Sequence, residues 1–131
     1  MLEVLINNRI ECVAVIIFAV GFVTLLVSPN MIKKIIGINI MDSACNLFLT
    51  SIGYVNGKTA PIIIDGITST EVYINPLPAG LVLTSIVVGV SVTAVMLALT
   101  YKMYEKYHTL NLNEVYKINH EMEDMEKWVS V

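Results

Sequence analysis

The chain has 131 residues, 56% of them hydrophobic and 15% charged, with a mean hydropathy of +0.73 and a formal net charge of −3. Soluble domains run near a quarter charged, so this composition excludes an ordinary soluble domain. So small a net charge says little about a partner by itself, and no nucleic-acid partner is expected. Between Cys12 and Tyr101 the only charged residues are Lys33, Lys34, Asp42, Lys58, Asp65 and Glu71, whereas ten of the nineteen charges fall from Lys102 onward. The pattern is that of an all-α membrane protein with a polar tail.

A membrane span needs about 20 mostly apolar residues to cross about 30 Å of hydrocarbon. The first such run, IECVAVIIFAVGFVTLLVS at 10–28, is closed by Pro29. It is expected to stay in the membrane as a helix. A cleavable leader would need a basic start and a small-x-small site, but Glu3 and Glu11 precede or open the run against a single Arg9. Ala14, Gly21 and Ser28 recur at intervals of seven, as in the seam of a packed bundle. Cys12 and Cys45 fall within or beside apolar runs without CxxC spacing and are expected to be buried free thiols.

The second span is predicted over about 35–55, closed by Asn56-Gly57-Lys58. Its middle carries Asn39, Asp42, Ser43 and Asn46 at i, i+3, i+4 and i+7, so the four share one helix face. Counted from Ile35, Asp42 lies about 10 Å in, at 1.5 Å per residue. A charge at that depth is costly and normally faces protein or a water-filled path. The acid therefore either sits protonated or pairs with a Lys or Arg of a neighbouring subunit. It serves either an ion path or a helix-packing hydrogen bond.

The third span is predicted over 79–104, opened by Pro76-Leu77-Pro78 and ending in aromatic and lysine residues suited to an interface. Gly80, Thr84 and Ser91 form one stripe of small residues, and Ser85, Gly89 and Thr93 a second on another side of the helix. A helix small on two sides is expected to lie between neighbours. Three short spans enclose little interior of their own. Residues 1–107 are thus expected to be a three-helix transmembrane domain inside a larger assembly.

Residues 108–131 form the tail. Val115, Ile118, Met122, Met125 and Val129 alternate at three and four, a helical apolar stripe, and Asn111 with Glu114 resembles a capping box. The other face carries Glu121, Glu123, Asp124 and Glu126, which anionic lipid repels. The helix is expected to dock on a protein partner or to self-associate as a short coil.

Lys33 and Lys34 follow the first span, and Lys102 and Lys106 close the third. The amino terminus and the 56–78 loop set Arg9 and Lys58 against Glu3, Glu11, Asp65 and Glu71. The positive-inside rule then puts the amino terminus outside and the tail in the cytoplasm. HExxH, GxSxG and Walker motifs are absent from the sequence. His108 and His120 have no Cys or His at ligand spacing, so both are expected to be solvated, and no catalytic, metal or cofactor residue is expected.

GINIMDSACNLFLTSIG at 37–53, then APII, then INPLPAGLVLTSIVVGVSVTAVMLAL at 74–99, resembles the MrpC subunit of multisubunit Na+/H+ antiporters. That subunit is similar to NuoK, the 4L-type subunit of respiratory complex I. The family pattern, an A-x-N-L stretch followed by D-P-L-P-x-A-L-V-L-T-x-I-V-I, appears here as Ala44-Cys45-Asn46-Leu47 and as Asn75 through Val88. The resemblance covers about residues 10–104. It implies three spans, an outside amino terminus and a place beside large antiporter-like subunits. Such modules occur in Mrp antiporters and in membrane-bound hydrogenase and sulfane-sulfur reductase complexes. NuoK proteins carry a Glu in the second span and another in the third, which correspond to Asn39 and Gly89 here, so a complex I type relay does not carry over. Asn75 stands where the pattern has Asp.

The expected function is that of a non-catalytic integral subunit of a cell-membrane Na+/H+ antiporter or related ion-translocating redox complex. Its partners would be other integral subunits, the lipid bilayer and transported cations (H+, Na+), with Asn39, Asp42, Ser43 and Asn46 on an ion path. The alternatives are a purely structural scaffold of such a complex and a self-sufficient homo-oligomeric transporter.

Overall fold

The computed structural model describes residues 1, 8–62, 66 and 69–130, the side chain of Thr70 excepted. Glu3 and Asp65, which enter the charge balance used for orientation, lie outside them. Among the described residues four α-helices follow in chain order: α1 (Arg9–Val27), α2 (Met31–Gly53), α3 (Leu77–Tyr107) and α4 (Leu112–Val129), with one 3-10 turn at Thr70–Val72. The described residues contain no β-strand, only isolated bridges at Asn30–Asn111 and Thr59–Tyr73. The first three helices are long and apolar enough to cross a membrane.

Local chemistry sets the ends of these helices. Asn30 caps α2 by accepting the Ile32 amide at 2.9 Å. The helix therefore starts four residues before the expected span boundary at Ile35 and takes Lys33 and Lys34 into its first turns. Lys34 Nζ donates to the Leu25 carbonyl at 2.7 Å. That satisfies an acceptor in the last turns of α1, where carbonyls begin to lack helical partners and positive charge is favoured. At the start of α3, Asn75 Oδ1 accepts the Leu77 amide at 3.0 Å. This task needs an acceptor and no charge, so Asn serves where the family pattern has Asp. Pro78 falls in the first turn, where its missing N–H costs nothing. α3 ends at His108, whose backbone is left-handed (φ 53°) and whose amide reaches the Tyr104 carbonyl at 2.7 Å.

α2 is the central element, with α1 and α3 packed on it. The α1 contact is made by glycines. A β-carbon on Gly21 would lie 2.9 Å from the Gly37 carbonyl oxygen, and one on Gly37 would lie 3.0 Å from that of Gly21. Ala14 (1% exposed) and Ala44 (2%) continue this seam. The α3 contact lies on the other side of α2: Asn46 follows Gly37 by nine residues, half a turn out of phase at about 100° per residue. At its far end a β-carbon on Gly53 would come 2.8 Å from Pro78 Cβ.

Helices flanking α2 on opposite sides make one layer, and a layer has no enclosed core. Ala14, Ile35 and Ala44 are the buried hydrophobic residues among those described, whereas Ile16, Leu26, Leu83 and Val90 are each more than 60% exposed. In water such a surface would aggregate. Lipid tails and partner helices cover it without cost. Cys45 departs from the expected burial for this reason. It is a free thiol on an exposed flank of α2, while Cys12 is half-buried.

α4 is rooted on the α1–α2 loop. The Met31 amide donates to the Leu110 carbonyl at 3.1 Å and the Leu112 amide to the Pro29 carbonyl at 3.0 Å, and Tyr107 donates to Asn119 Oδ1 at 3.2 Å. Asn111 accepts the Asn113 amide at 3.1 Å. The expected return bond from Glu114 is relayed instead. The Asn111 amide donates to Thr109 Oγ1 at 3.2 Å, and that hydroxyl donates to Glu114 Oε2 at 2.5 Å. Val115, Ile118 and Met122 are half-buried, whereas Met125, Trp128 and Val129 lie exposed at the far end. His120 is exposed with its Nδ1 3.1 Å from Asp124 one turn on, and His108 is exposed at the α3 cap.

Candidate functional site

Asp42 stands midway along α2, eleven residues or about 16 Å from its first residue. This is deeper than the count from Ile35 suggested, because α2 begins at Met31. Asn39, Asp42, Ser43 and Asn46 share one face and line a cleft of about 310 Å³ against Ile86, Gly89, Val90 and Thr93 of α3. Ser43, Ile86 and Val90 are exposed, so the cleft opens on the outer surface of the chain.

Two interhelical hydrogen bonds fix its walls. The Ser85 hydroxyl donates to Asp42 Oδ1 at 3.2 Å, and the Thr93 hydroxyl lies 2.7 Å from Asn39 Oδ1 and 2.8 Å from the Gly89 carbonyl oxygen, sharing one hydrogen between them. Between these two donors lies Gly89. A β-carbon there would sit 2.6 Å from Asp42 Oδ2 and 3.3 Å from its Cγ, so the carboxylate of α2 occupies the side-chain space that α3 leaves empty. Ser43 bonds back to the Asn39 carbonyl at 2.9 Å. Asn46 Oδ1 is buried and has no hydrogen-bond partner.

The structure therefore brings Ser85, Gly89 and Thr93 to the polar face of α2. Gly80, Thr84 and Ser91 lie on exposed surface: Thr84 and Ser91 bond to the Gly80 and Val87 carbonyls of their own helix, and nothing lies within 4 Å of a β-carbon built on Gly80. Sequence reasoning missed Gly37 as the partner of Gly21, although its spacing of seven from Ala44 was a signal. It also missed the seating of Asp42 against Gly89, for which a single sequence holds no signal, since spacing along one helix does not reveal which residues of another it meets.

Chemically, the cleft offers one carboxylate, amide and hydroxyl oxygens and a backbone carbonyl at mid-helix. Such a set of oxygens suits a proton or a hard cation. Among the described residues no group of three or more His, Cys, Asp or Glu is placed to hold a metal ion.

A layer of three membrane-length helices, with a polar cleft open on its flank, defines an integral membrane protein built to be completed by other helices. Residues 10–119 match the model of the family described as NADH-ubiquinone/plastoquinone oxidoreductase chain 4L, and the chain belongs to that family. It is 45% identical over 92 residues to an uncharacterized protein of Methanocaldococcus jannaschii, covering 67% of this chain and 70% of that one. The Na+/H+ antiporter subunit C1 of Staphylococcus saprophyticus is 36% identical over 104 residues, covering 76% of this chain and 88% of the relative. Among solved structures, a chain of the membrane-bound sulfane sulfur reductase, an archaeal respiratory membrane complex, superposes with a TM-score of 0.71 at 46% identity, covering 77% of this chain and 91% of that one.

Proposed function

We propose that the chain is a non-catalytic integral subunit of a multisubunit Na+/H+ antiporter or a related ion-translocating respiratory complex, and that its α2–α3 cleft lines part of a hydrated ion path. The observation that carries this reading is Asp42, a carboxylate at mid-helix in a cleft that opens outward. A purely packing acid would be closed off by its own helices, whereas this one is presented to whatever seals the cleft. The names of the relatives, an antiporter subunit and a respiratory membrane complex, support the same setting.

In this reading residues 1–107 sit in the cell membrane with the amino terminus outside. Residues 108–131 lie in the cytoplasm, where α4 docks its apolar stripe on a partner subunit. The root of α4 on the α1–α2 loop supports a shared side for that loop and the tail. Asp42→Asn in the assembled complex is expected to lower cation-driven proton exchange by inverted vesicles severalfold, with subunit composition unchanged. Full exchange in that variant would remove the cleft from the path.

The scaffold reading is favoured by a separate observation, the open space over Gly80 beside exposed Thr84 and Ser91. That strip suits close approach by a partner helix. Gly80→Leu is expected to reduce recovery of the assembled complex, and unchanged assembly would count against packing there.

A further inference from the structure

The register of α2 on α3 fixes where α4 stands. Gly53 lies against Pro78, Asp42 against Gly89, and Asn39 bonds to Thr93. Met31, the first residue of α2, thus falls level with Thr100, which is 4% exposed. α3 runs seven residues further, to Tyr107, or about 10 Å. Its 31 residues measure about 46 Å against about 30 Å of hydrocarbon, and Lys102, Glu105 and Lys106 put the surplus at this end. The face of α3 turned to α2 continues there through Met103 and Tyr107, which stay half-buried although α2 has ended. α4 takes the place of α2 on that face. It begins with the Leu112 amide on the Pro29 carbonyl, and Asn119, seven residues on, accepts the Tyr107 hydroxyl.

Those two anchors aim α4 away from the membrane. Residues 120–129 follow past the end of α3, about 15 Å of helix, and all of them but Met122 are exposed. Met125, Trp128 and Val129 are 63%, 86% and 88% exposed. Lipid accounts for such exposure on α1–α3. It cannot cover a helix tip carried beyond the hydrocarbon, where an apolar strip faces water. The family match ends at residue 119, so this tip lies outside the matched residues.

The rim of the strip selects what covers it. Met122, Met125 and Val129 lie within about 60° of one another around the helix, with Trp128 and Glu121 on one flank and Glu126 on the other. Asp124 is engaged by His120 and Lys127, and Glu123 accepts the Asn119 amide. The carboxylates of Glu121 and Glu126 have no ion pair or hydrogen bond among the described residues. Anionic lipid repels them, and a second copy of the strip would set like charges together. Basic groups flanking an apolar groove complement both parts of the surface.

We propose that the tip of α4 docks in a groove of a water-soluble, peripheral protein, apolar at its floor and lined with Lys or Arg at its rim. The mode is that of an amphipathic helix laid in a groove. Trp128 is the anchor, as a large exposed aromatic that burial rewards most, and Glu121 and Glu126 set the register. The proposal rests on α4 being a docking helix and adds the kind of partner, peripheral and not membrane-embedded.

The test is maleimide labelling of a cysteine on the strip, Val129→Cys, or behind it, Lys127→Cys, in membranes holding the assembled complex. Labelled peptide is read by mass spectrometry before and after an alkaline carbonate wash, which releases peripheral proteins and leaves integral subunits and lipid. It is read again after the neutralised washings are returned. Val129→Cys is expected to label about tenfold more slowly before the wash than after it, by mass action. Intact washings should restore the protection and trypsin-digested washings should not, while Lys127→Cys labels alike throughout. Adding Trp128→Ala, or Glu121→Lys with Glu126→Lys, to Val129→Cys should cut the protection to about twofold or less. Protection that survives the wash overturns the proposal, because the cover is then an integral subunit, a second copy or lipid. Fast labelling before the wash overturns both the proposal and the docking of α4. Under either result a fall in exchange in Asp42→Asn would leave the ion-path reading standing.

Discussion

Gly89→Ala is the smallest change that tests the seating of Asp42. The new methyl would lie 2.6 Å from Asp42 Oδ2, 3.3 Å from Cγ and 3.7 Å from Oδ1, whereas non-bonded heavy atoms favour about 3.5–4.0 Å. The carboxylate must therefore retreat by about 1 Å. It does so by turning off its rotamer, at about 0.5–1.5 kcal/mol, or by giving up the Ser85 hydrogen bond, at about 1–3 kcal/mol for a bond to an ionisable group in a half-buried site. Against this stands the gain of about 1 kcal/mol when Ala replaces Gly inside a helix. The balance runs from a gain of roughly 0.5 kcal/mol, if the side chain only turns, to a loss of roughly 2 kcal/mol, if the Ser85 bond is given up.

The internal control is Gly80→Ala, where the same helix-forming gain applies and no atom lies within 4 Å of the added carbon. It should be neutral or stabilising. Equilibrium unfolding of the full chain in mixed detergent micelles would read both, and Gly89→Ala should fall below Gly80→Ala by about 0.5–3 kcal/mol. The decisive step is a double-mutant cycle with Asp42→Ser, whose shorter side chain withdraws from the methyl. The Gly89→Ala penalty should shrink in that background, with a coupling of about 0.5–3 kcal/mol. If Gly89→Ala and Gly80→Ala behave alike, or if the cycle shows no coupling, the carboxylate is not seated against Gly89.

Other residues carry independent predictions. Gly37→Ala places a β-carbon 3.0 Å from both the Gly21 carbonyl oxygen and the Leu25 amide nitrogen. Backbone cannot turn aside as a carboxylate can, so the helices must separate, and unfolding in the same micelles should register a loss of about 1–3 kcal/mol. Lys34→Met removes the donor to the Leu25 carbonyl at the end of α1. A loss of about 1 kcal/mol is expected, and unchanged stability would mean that water caps this helix equally well. Thr109→Ala breaks the relay from the Asn111 amide to Glu114. Hydrogen exchange in the first turn of α4 should quicken severalfold while α1–α3 are unaffected. Truncation after Tyr107 should weaken co-purification of a neighbouring subunit, and undiminished recovery would argue against docking by α4.

The physics that made the three long helices legible is crude and strong. Only a run of about 20 apolar residues spans hydrocarbon, and Pro29, the Asn56-Gly57 turn and Pro76-Leu77-Pro78 punctuate those runs. The polar face of α2 was equally plain, because Asn39, Asp42, Ser43 and Asn46 differ in kind from everything around them. Helix ends were less so. Asn30 reads as an ordinary loop residue until its side chain is seen to cap α2, and the lysines after it look like a boundary rather than a first turn. Least legible was which faces meet. α3 carries small residues on two sides, and no spacing along its own sequence distinguishes Ser85, Gly89 and Thr93, which meet α2, from Gly80, Thr84 and Ser91, which do not.

That blindness matters most for the acid itself. The resemblance to NuoK implies that Asn39 and Gly89 stand where that pattern has its two intramembrane acids, and it leaves Asp42 without a counterpart. In space the mismatch largely disappears. The carboxylate of Asp42 fills the volume beside Gly89 and lies next to Asn39 on the same wall of the cleft. An acid three residues further along one helix, facing a glycine on the next, delivers its charge close to the point where a side chain from that next helix would begin. The space is shared: a larger residue at 89 would meet the carboxylate of Asp42, and without Asp42 the cleft at Gly89 would have no charge.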